Sequence, residues 1–337
     1  MIDTILGQVS GGGDLTLDQS AAVIDLIMQG GVSNEKIGLL LMALRAKGET
    51  VEEIAGAALA LRKHMSRIKS SRSPLVDTCG TGGDGSDTFN ISTAAALVAA
   101  AAGANVAKHG NRKASSKSGS ADVLTVLGVN VAASIETVEK CLEQVGICFC
   151  FAPLFHSSMK HVSEVRKALG VPTIFNMLGP LCNPASADYQ VLGVGKPELR
   201  EKIAKALQLL KTRRAVVVHG EDGLCEISNA AETAVTEVLP AAVNELRWSP
   251  HDFGLPMTTR AEITADSPEK SAAIIQAVLR GDAGAARDIV IMNAAAALWV
   301  IGKDENLMQC AQRAAVAIDS GEAQNVLQRL VKVSNAQ

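Results

Sequence analysis

The chain has 337 residues, enough at roughly 150 residues per domain for about two domains and a sizeable core. Hydrophobic residues make up 47% and charged residues 20%, a globular composition that excludes a disordered chain. Thirty-two Lys and Arg against 35 Asp and Glu leave a formal charge of −3, and the aromatic residues are six Phe, two Trp and one Tyr. An overall basic field and a set of base-stacking platforms are therefore both missing, which argues against nucleic acid and acidic lipid as partners. The longest apolar run, Ala94 to Ala104, is shorter than the ~18 residues a membrane helix needs, and the first residues lack the basic start of a signal peptide. A cytoplasmic protein without membrane contact is expected. Seven cysteines without zinc spacing predict reduced thiols, with Cys148 and Cys150 packed on one face of an apolar strand.

Helices come first. Ile2, Ile5, Leu6 and Val9 share a helical face before a break at Gly11, Gly12 and Gly13. Thr16 with Gln19 and Thr50 with Glu53 form capping boxes, and Ile37, Leu40, Leu41 and Leu44 recur at helical spacing ahead of Gly48. Residues 1–70 are expected to form a small all-helical unit, its apolar faces packed on one another, on the rest of the chain or on a second copy.

From Leu75 the pattern changes to short apolar runs separated by helical stretches. Leu75 to Cys79, Asn105 to Lys108, Ile147 to Phe151, Gln190 to Val194 and Ala215 to His219 read as strands, which predicts an α/β fold with a mainly parallel sheet flanked by helices. Helices are expected from Ala94, over Val123 to Leu127 and over Val162 to Leu169. Pro172, Pro180 and Pro184 bound a segment that breaks this rhythm. Residues 169–186 are expected to return to the helical unit, leaving 71–168 and 187–337 to the α/β domain.

The strongest local signal runs from Cys79 through Gly80, Gly82, Gly83 and Gly85 to Asn90, Ser92 and Thr93, between a strand and an alanine-rich helix. Glycines let backbone N–H groups approach an anion, and the helix N-terminus adds unpaired donors and a positive dipole end. Such a loop cradles phosphate. Gly80, Gly82 and Gly85 satisfy G-x-G-x-x-G, but the next strand delivers Lys108, His109, Gly110, Asn111 and Arg112 rather than a ribose-binding acid. A Walker loop is excluded because no Gly-Lys-Ser/Thr follows. Asp84 and Asp87 would repel a diphosphate unless a divalent metal lay between, so the expected ligand is a magnesium-bound diphosphate. Ser115 to Asp122 supplies a third polar loop at the carboxyl edge of the sheet, where open α/β folds bind ligands.

The runs GTGGDGSDTFNIST, KHGNRKASSKSGSADVL, VRKALGVPTIFNMLGPLCNPA and VVHGEDGLCEIS, in this order, resemble the anthranilate phosphoribosyltransferase family, and the helical start fits it too. The resemblance implies a nucleoside phosphorylase/phosphoribosyltransferase-like fold, phosphoribosyl pyrophosphate and anthranilate as substrates, Mg2+ as cofactor, a product used in tryptophan biosynthesis, and a homodimer. It assigns phosphoribosyl pyrophosphate to Gly80, Gly83, Asp84, Thr88, Asn90, Ile91, Ser92, Thr93, Lys108, His109, Gly110, Asn111, Arg112, Lys113, Ala114, Ser115, Ser116 and Ser120. Anthranilate falls to Gly80, Asn111 and Arg166, with the planar Arg166 fork on its carboxylate. Lys108 and Arg166 become the candidate catalytic residues.

Ser92 and Glu226 match the family's magnesium ligands, but Cys225 stands where the family carries Asp. A thiol suits a hard cation poorly, which leaves Glu226 with water, or Asp222 or Glu221 as a substitute. Two smaller departures are Asp87, where a small residue is usual, and Ser157, where Pro is expected. The implied reaction is displacement at the anomeric carbon by a neutral aryl amine, which requires no dedicated general base. His109 is expected in a structural hydrogen bond. Two other readings of such a scaffold stay open here: a pyrimidine-nucleoside phosphorylase, and a non-catalytic nucleic-acid-binding relative.

Overall fold

The computed structural model describes residues 1–113 and 117–336. Four helices open the chain: α1 (Ile2–Ser10), α2 (Leu17–Met28), α3 (Asn34–Lys47) and α4 (Val51–His64). Both capping boxes form, at Thr16/Gln19 and Thr50/Glu53. Glu53 does more than cap. It is fully buried, and its carboxylate accepts from Leu15 N–H and Thr50 N–H at 2.9 Å and from Lys47 Nζ at 2.7 Å, so one charge-assisted cluster ties α3, α4 and the turn before α2.

The remainder runs β1 (Leu75–Gly80), α5 (Ile91–Ala101), β2 (Asn105–Gly110), α6 (Ser120–Val126), α7 (Ile135–Val145), β3 (Ile147–Phe151), α8 (Ala152–Phe155), α9 (Lys160–Leu169) and α10 (Phe175–Leu178). It continues through β4 (Tyr189–Gly193), α11 (Glu198–Leu209), β5 (Arg214–Gly220), β6 (Thr233–Val238), β7 (Val243–Trp248), α12 (Pro268–Leu279), α13 (Ala285–Val300), α14 (Leu307–Asp319) and α15 (Glu322–Ser334). Among the described residues no helix is long and apolar enough to cross a membrane.

One seven-stranded sheet has the order β3-β2-β1-β4-β5-β6-β7, parallel from β3 to β5 and antiparallel at β6 and β7. The chain winds outward from β1 to β3 and then crosses back to place β4 on the other side of β1. That reversal is a topological switch point, and the crevice beyond the carboxyl ends of β1 and β4 is where such sheets take ligands. Gly80 pairs with Gly193 at that edge.

Strand alternation feeds two cores. Val191, Val216 and Val218 face α5 and the C-terminal helices, while Leu192, Val194, Ala215 and Val217 face α11 and the N-terminal helices. The helical unit thus packs directly on one face of the sheet. Helix α9 joins the same cluster through Val162 and Val165 and packs on α2 and α3, so contact with the helical layer begins before residue 169. Cys148 and Cys150 are fully buried in β3, and all seven cysteines are free.

All five predicted strands form. β6, β7 and α12 to α15 lie where the sequence reading offered nothing. β7 is an edge strand carrying Asn244, Glu245 and Arg247 on exposed positions, a composition that reads as loop.

Candidate active site

The glycine loop leaves β1 at the switch point. Thr81 N–H donates to Gly193 O at 2.8 Å, and Gly195 N–H to Thr81 Oγ1 at 3.3 Å. Gly82, Gly83 and Gly85 take φ of +62°, +80° and +64°, so glycine serves conformation there. Two other glycines serve contact. A Cβ on Gly193 would lie 1.7 Å from Cys225 O, and one on Gly195 would lie 2.8 Å from Gly82 O. This lets the turn bearing Cys225 and Glu226 close against the loop.

Lys108, only 3% exposed, sits beneath the loop. Its ammonium donates to Thr78 O and, at 3.2 Å, to Ser92 Oγ. Burial lowers its pKa, opposed by the charges of Asp77, Cys79 and Glu226. Glu226 is the counterpart: burial pushes its carboxyl up to about 7, against Lys108 and hydrogen bonds from Ser92. Asp84 goes the other way. Burial raises it, but hydrogen bonds from the Cys225 thiol, Cys225 N–H (3.0 Å) and Ser86 (N–H 3.1 Å, Oγ 2.9 Å) outweigh that and hold it below the usual carboxylate range.

Cys225 therefore acts here as a donor to Asp84, its own thiol pushed up by burial and by the charges of Glu226 and Asp84. Of the two suggested substitutes, Asp222 accepts from Ser228 Oγ at 2.9 Å within its own turn, and Glu221 pairs with Arg247. No group of three His, Cys, Asp or Glu converges as a metal cage among the described residues.

The third loop is tied to the first. Asn90 Nδ2 donates to Ser118 O at 3.2 Å, and Ser118 Oγ donates to Asn90 Oδ1 at 2.8 Å. Asp122 caps α6 from within, accepting from Gly119 N–H at 3.0 Å and Lys113 N–H at 2.8 Å, and pairs with Arg112 at 3.1 Å. Asn111 O accepts from Ala121 N–H and Ser120 Oγ, and Gly110 leaves no room for a Cβ beside Ser120. Thr88 lies 3.2 Å from Ser86 Oγ, while Ile91 and Thr93 open α5, both buried. Ala114, Ser115 and Ser116 lie outside the described residues.

Arg166, on α9, is differently placed. Its guanidinium makes a long 3.5 Å contact to Asn176 Oδ1 and lies 5.7 Å from the Phe175 ring centroid, and burial lowers its pKa. It has no carboxylate partner among the described residues. His109 links this region to Lys108: its Nδ1–H donates to Gly179 O at 3.0 Å, which leaves Nε2 to accept from His156 Nε2–H at 3.2 Å. Burial, with His156 and Lys108 adding, depresses His109 to about 3, and burial takes His156 to about 4, so both rings are neutral at pH 7.

Comparison with known proteins places this geometry. The model of the glycosyl transferase family helical bundle domain matches residues 3–65, and that of the family's a/b domain matches residues 72–324. An anthranilate phosphoribosyltransferase of Rhodopirellula baltica is 49% identical over 322 residues, covering 96% of this chain and 94% of that protein. One of Herpetosiphon aurantiacus is 50% identical over 324 residues, 96% of each. The chain belongs to the anthranilate phosphoribosyltransferase family. Among solved structures, the Thermus thermophilus anthranilate phosphoribosyltransferase superimposes with a TM-score of 0.93 at 41% identity, covering 98% of this chain and 99% of that one. The Saccharomyces cerevisiae anthranilate phosphoribosyltransferase, solved with phosphoribosyl pyrophosphate and Mg, gives 0.91 at 29% identity, covering 100% and 98%.

Within this anthranilate phosphoribosyltransferase scaffold, the switch-point crevice gathers Gly80, Gly83, Asp84, Ser92, Lys108 and Glu226. Sequence reasoning missed Gly193, Gly195, His156 and Ser271. Gly193 ends a buried strand and Gly195 follows it, without motif spacing, and only the fold shows what approaches them.

Proposed function

We infer that this chain transfers the phosphoribosyl group of phosphoribosyl pyrophosphate to the amine of anthranilate, giving N-(5-phosphoribosyl)anthranilate and pyrophosphate in tryptophan biosynthesis. The observation that carries this reading is the buried Lys108–Ser92–Glu226 cluster under a three-glycine loop, with Arg166 on the same scaffold carrying no carboxylate partner among the described residues. The C1–O bond to pyrophosphate breaks as the anthranilate nitrogen bonds to C1. The ammonium formed is acidic enough to lose its proton to water, so no side-chain base is needed. Both nitrogens of His109 are already committed to protein partners.

The donor set fits Mg2+: Asp84, Glu226 and Ser92 offer oxygen only, and a cation that retains water and takes one or two carboxylates plus phosphate needs no larger cage. Those three residues would hold it, and when bound it would supply positive charge to the leaving diphosphate. Loop N–H groups of Gly82 and Gly83 orient the diphosphate, Lys108 fixes Ser92 and Glu226 beneath it, and the Arg166 fork holds the anthranilate carboxylate.

A homodimer belongs to the same proposal. Leu39 (56% exposed) and Met42 (39%) line an apolar groove between α3 and α9, a face that a second copy would cover. Sedimentation is expected to give a dimer, and Leu39→Glu to dissociate it.

The test of activity is loss of anthranilate fluorescence on mixing with phosphoribosyl pyrophosphate under a magnesium titration. Turnover is expected. Phosphate-dependent nucleoside cleavage instead would transfer the assignment to a phosphorylase, and a salt-sensitive gel shift without turnover would make the chain a nucleic-acid binder.

A further inference from the structure

The crevice has two walls, the glycine loop and the Cys225–Glu226 turn, and one distant segment touches both. Thr258 N–H donates to Asn229 O at 2.8 Å and Arg260 Nη1 to Asp222 O at 2.9 Å, which holds the turn from both sides of Glu226. A few residues on, Phe89 N–H donates to Ile263 O at 3.0 Å, Ala265 N–H donates to Asp87 O at 2.8 Å, and Thr88 bridges Thr264 antiparallel. The exit of the glycine loop is thus paired as a short ribbon.

The segment ends in a tighter tie. Ser271, fully buried on α12, accepts from Asn90 N–H at 2.9 Å and donates to Asn90 Oδ1 at 2.8 Å. Asn90 stands at the N-cap of α5, where its side chain would ordinarily accept from the first-turn N–H groups, yet it makes no such cap. Its amide is turned instead to Ser271 and Ser118. The first turn of α5 is thereby left without a side-chain cap from Asn90.

We propose that residues 258–271 form a strap that sets the spacing between the glycine loop and the Cys225–Glu226 turn, with Ser271 and Arg260 as positioning residues for the diphosphate end of the substrate. Ser271 works through Asn90, holding its amide away from the α5 terminus and joining two of the polar loops. Arg260 works through the Asp222 carbonyl, four residues before Glu226 in the same turn. Neither needs to touch the substrate. The proposal rests on the transferase reading for its ligand, but the strap itself is a property of the chain.

The experiment uses the full chain with Ser271→Ala and, since a buried serine can matter for folding, the half-buried Arg260→Ala beside it. Hydrogen exchange over residues 84–93 reads the tie directly. It is expected to quicken about tenfold in Ser271→Ala and several-fold in Arg260→Ala, while β4 and β5 exchange as before. Calorimetry with phosphoribosyl pyrophosphate and Mg2+ is expected to weaken by similar factors, with the KM for anthranilate within about twofold of the parent. Unchanged loop exchange in both variants overturns the strap, as do equal losses toward both substrates, which mark ordinary packing. If the parent protein binds no phosphoribosyl pyrophosphate, the transferase reading fails and loop exchange alone still decides the strap.

Discussion

The two ends of the crevice are built on opposite plans. At the end proposed for the diphosphate the polar side chains hold one another: Lys108 holds Ser92, Ser92 serves Glu226, Cys225 and Ser86 hold Asp84, and Asn90 joins Ser118 and Ser271. At the end proposed for the acceptor, Arg166 hangs over a Phe175 ring with a long contact to Asn176. The first end is preorganised, so its residues define each other's positions before any ligand arrives. The second, in the proposed reaction, keeps a charged fork in reserve for a carboxylate. Removing a group at the first end disturbs a network and hence the rate, whereas removal at the second subtracts one contact and hence one substrate's affinity.

Lys108→Ala is the largest test of this contrast. It strips Glu226 of its cation and Ser92 of its donor, so kcat is expected to fall by about three orders of magnitude or more in the anthranilate fluorescence assay. A loss under about tenfold would remove Lys108 from the mechanism. Arg166→Ala comes next and should split the kinetics: KM for anthranilate up about 30- to 100-fold, KM for phosphoribosyl pyrophosphate nearly unchanged, and thermal stability preserved because no ion pair is broken. Arg166→Lys should recover little, since an ammonium offers no planar fork. Equal changes in both KM values would show that the two ends are not independent.

The same contrast decides how much was legible beforehand. The helical unit announced itself because Thr16, Thr50 and the Ile37–Leu44 stripe are local signals, satisfied within a few residues. The glycine loop was legible because phosphate chemistry demands consecutive glycines ahead of a helix, and three of them do take positive φ. What the sequence concealed is long-range. Ser271 lies 181 residues from Asn90, and Gly193 has meaning only once the Cys225 turn is folded against it. The strand β7 escaped because an edge strand shows water its charges, and the role of Cys225 escaped because motif comparison sees a missing carboxylate rather than a donor to Asp84.

Cys225→Asp sharpens that last point with a smaller effect. The substitution takes a thiol donor from Asp84 and sets a third carboxylate beside Asp84 and Glu226. Without divalent metal, like charges and a lost hydrogen bond are expected to lower the melting temperature by about 2–5 °C. Added Mg2+ should return more stability to this variant than to the parent, because the new oxygen ligand suits a hard cation. Melts in chelator and in magnesium measure both. Identical melts in the two conditions would place residue 225 outside the metal's reach.

The smallest effect lies between the two ends, in the neutral pair His109–His156. Their folded pKa values of about 3 and about 4 are below the unfolded imidazole value. As pH falls through about 6.5 the unfolded chain takes up these protons and the folded chain does not, so stability is fully present above about pH 7 and drains away toward pH 4. His156→Gln keeps an N–H donor for His109 Nε2 while deleting one of the two titrations. The loss of unfolding free energy between pH 7 and pH 5.5, read from urea titrations by Trp248 and Trp299 fluorescence, should therefore shrink by about 1 kcal/mol. Over the same range a limb in kcat/KM belongs to Glu226, whose carboxyl sits at about 7, and should persist unchanged in His156→Gln, since neither ring changes charge in the folded protein. A limb near pH 6.5 that vanished in His156→Gln would mean the pair is charged in the working enzyme. His109 would then be a participant in proton transfer rather than the fixed support of Gly179.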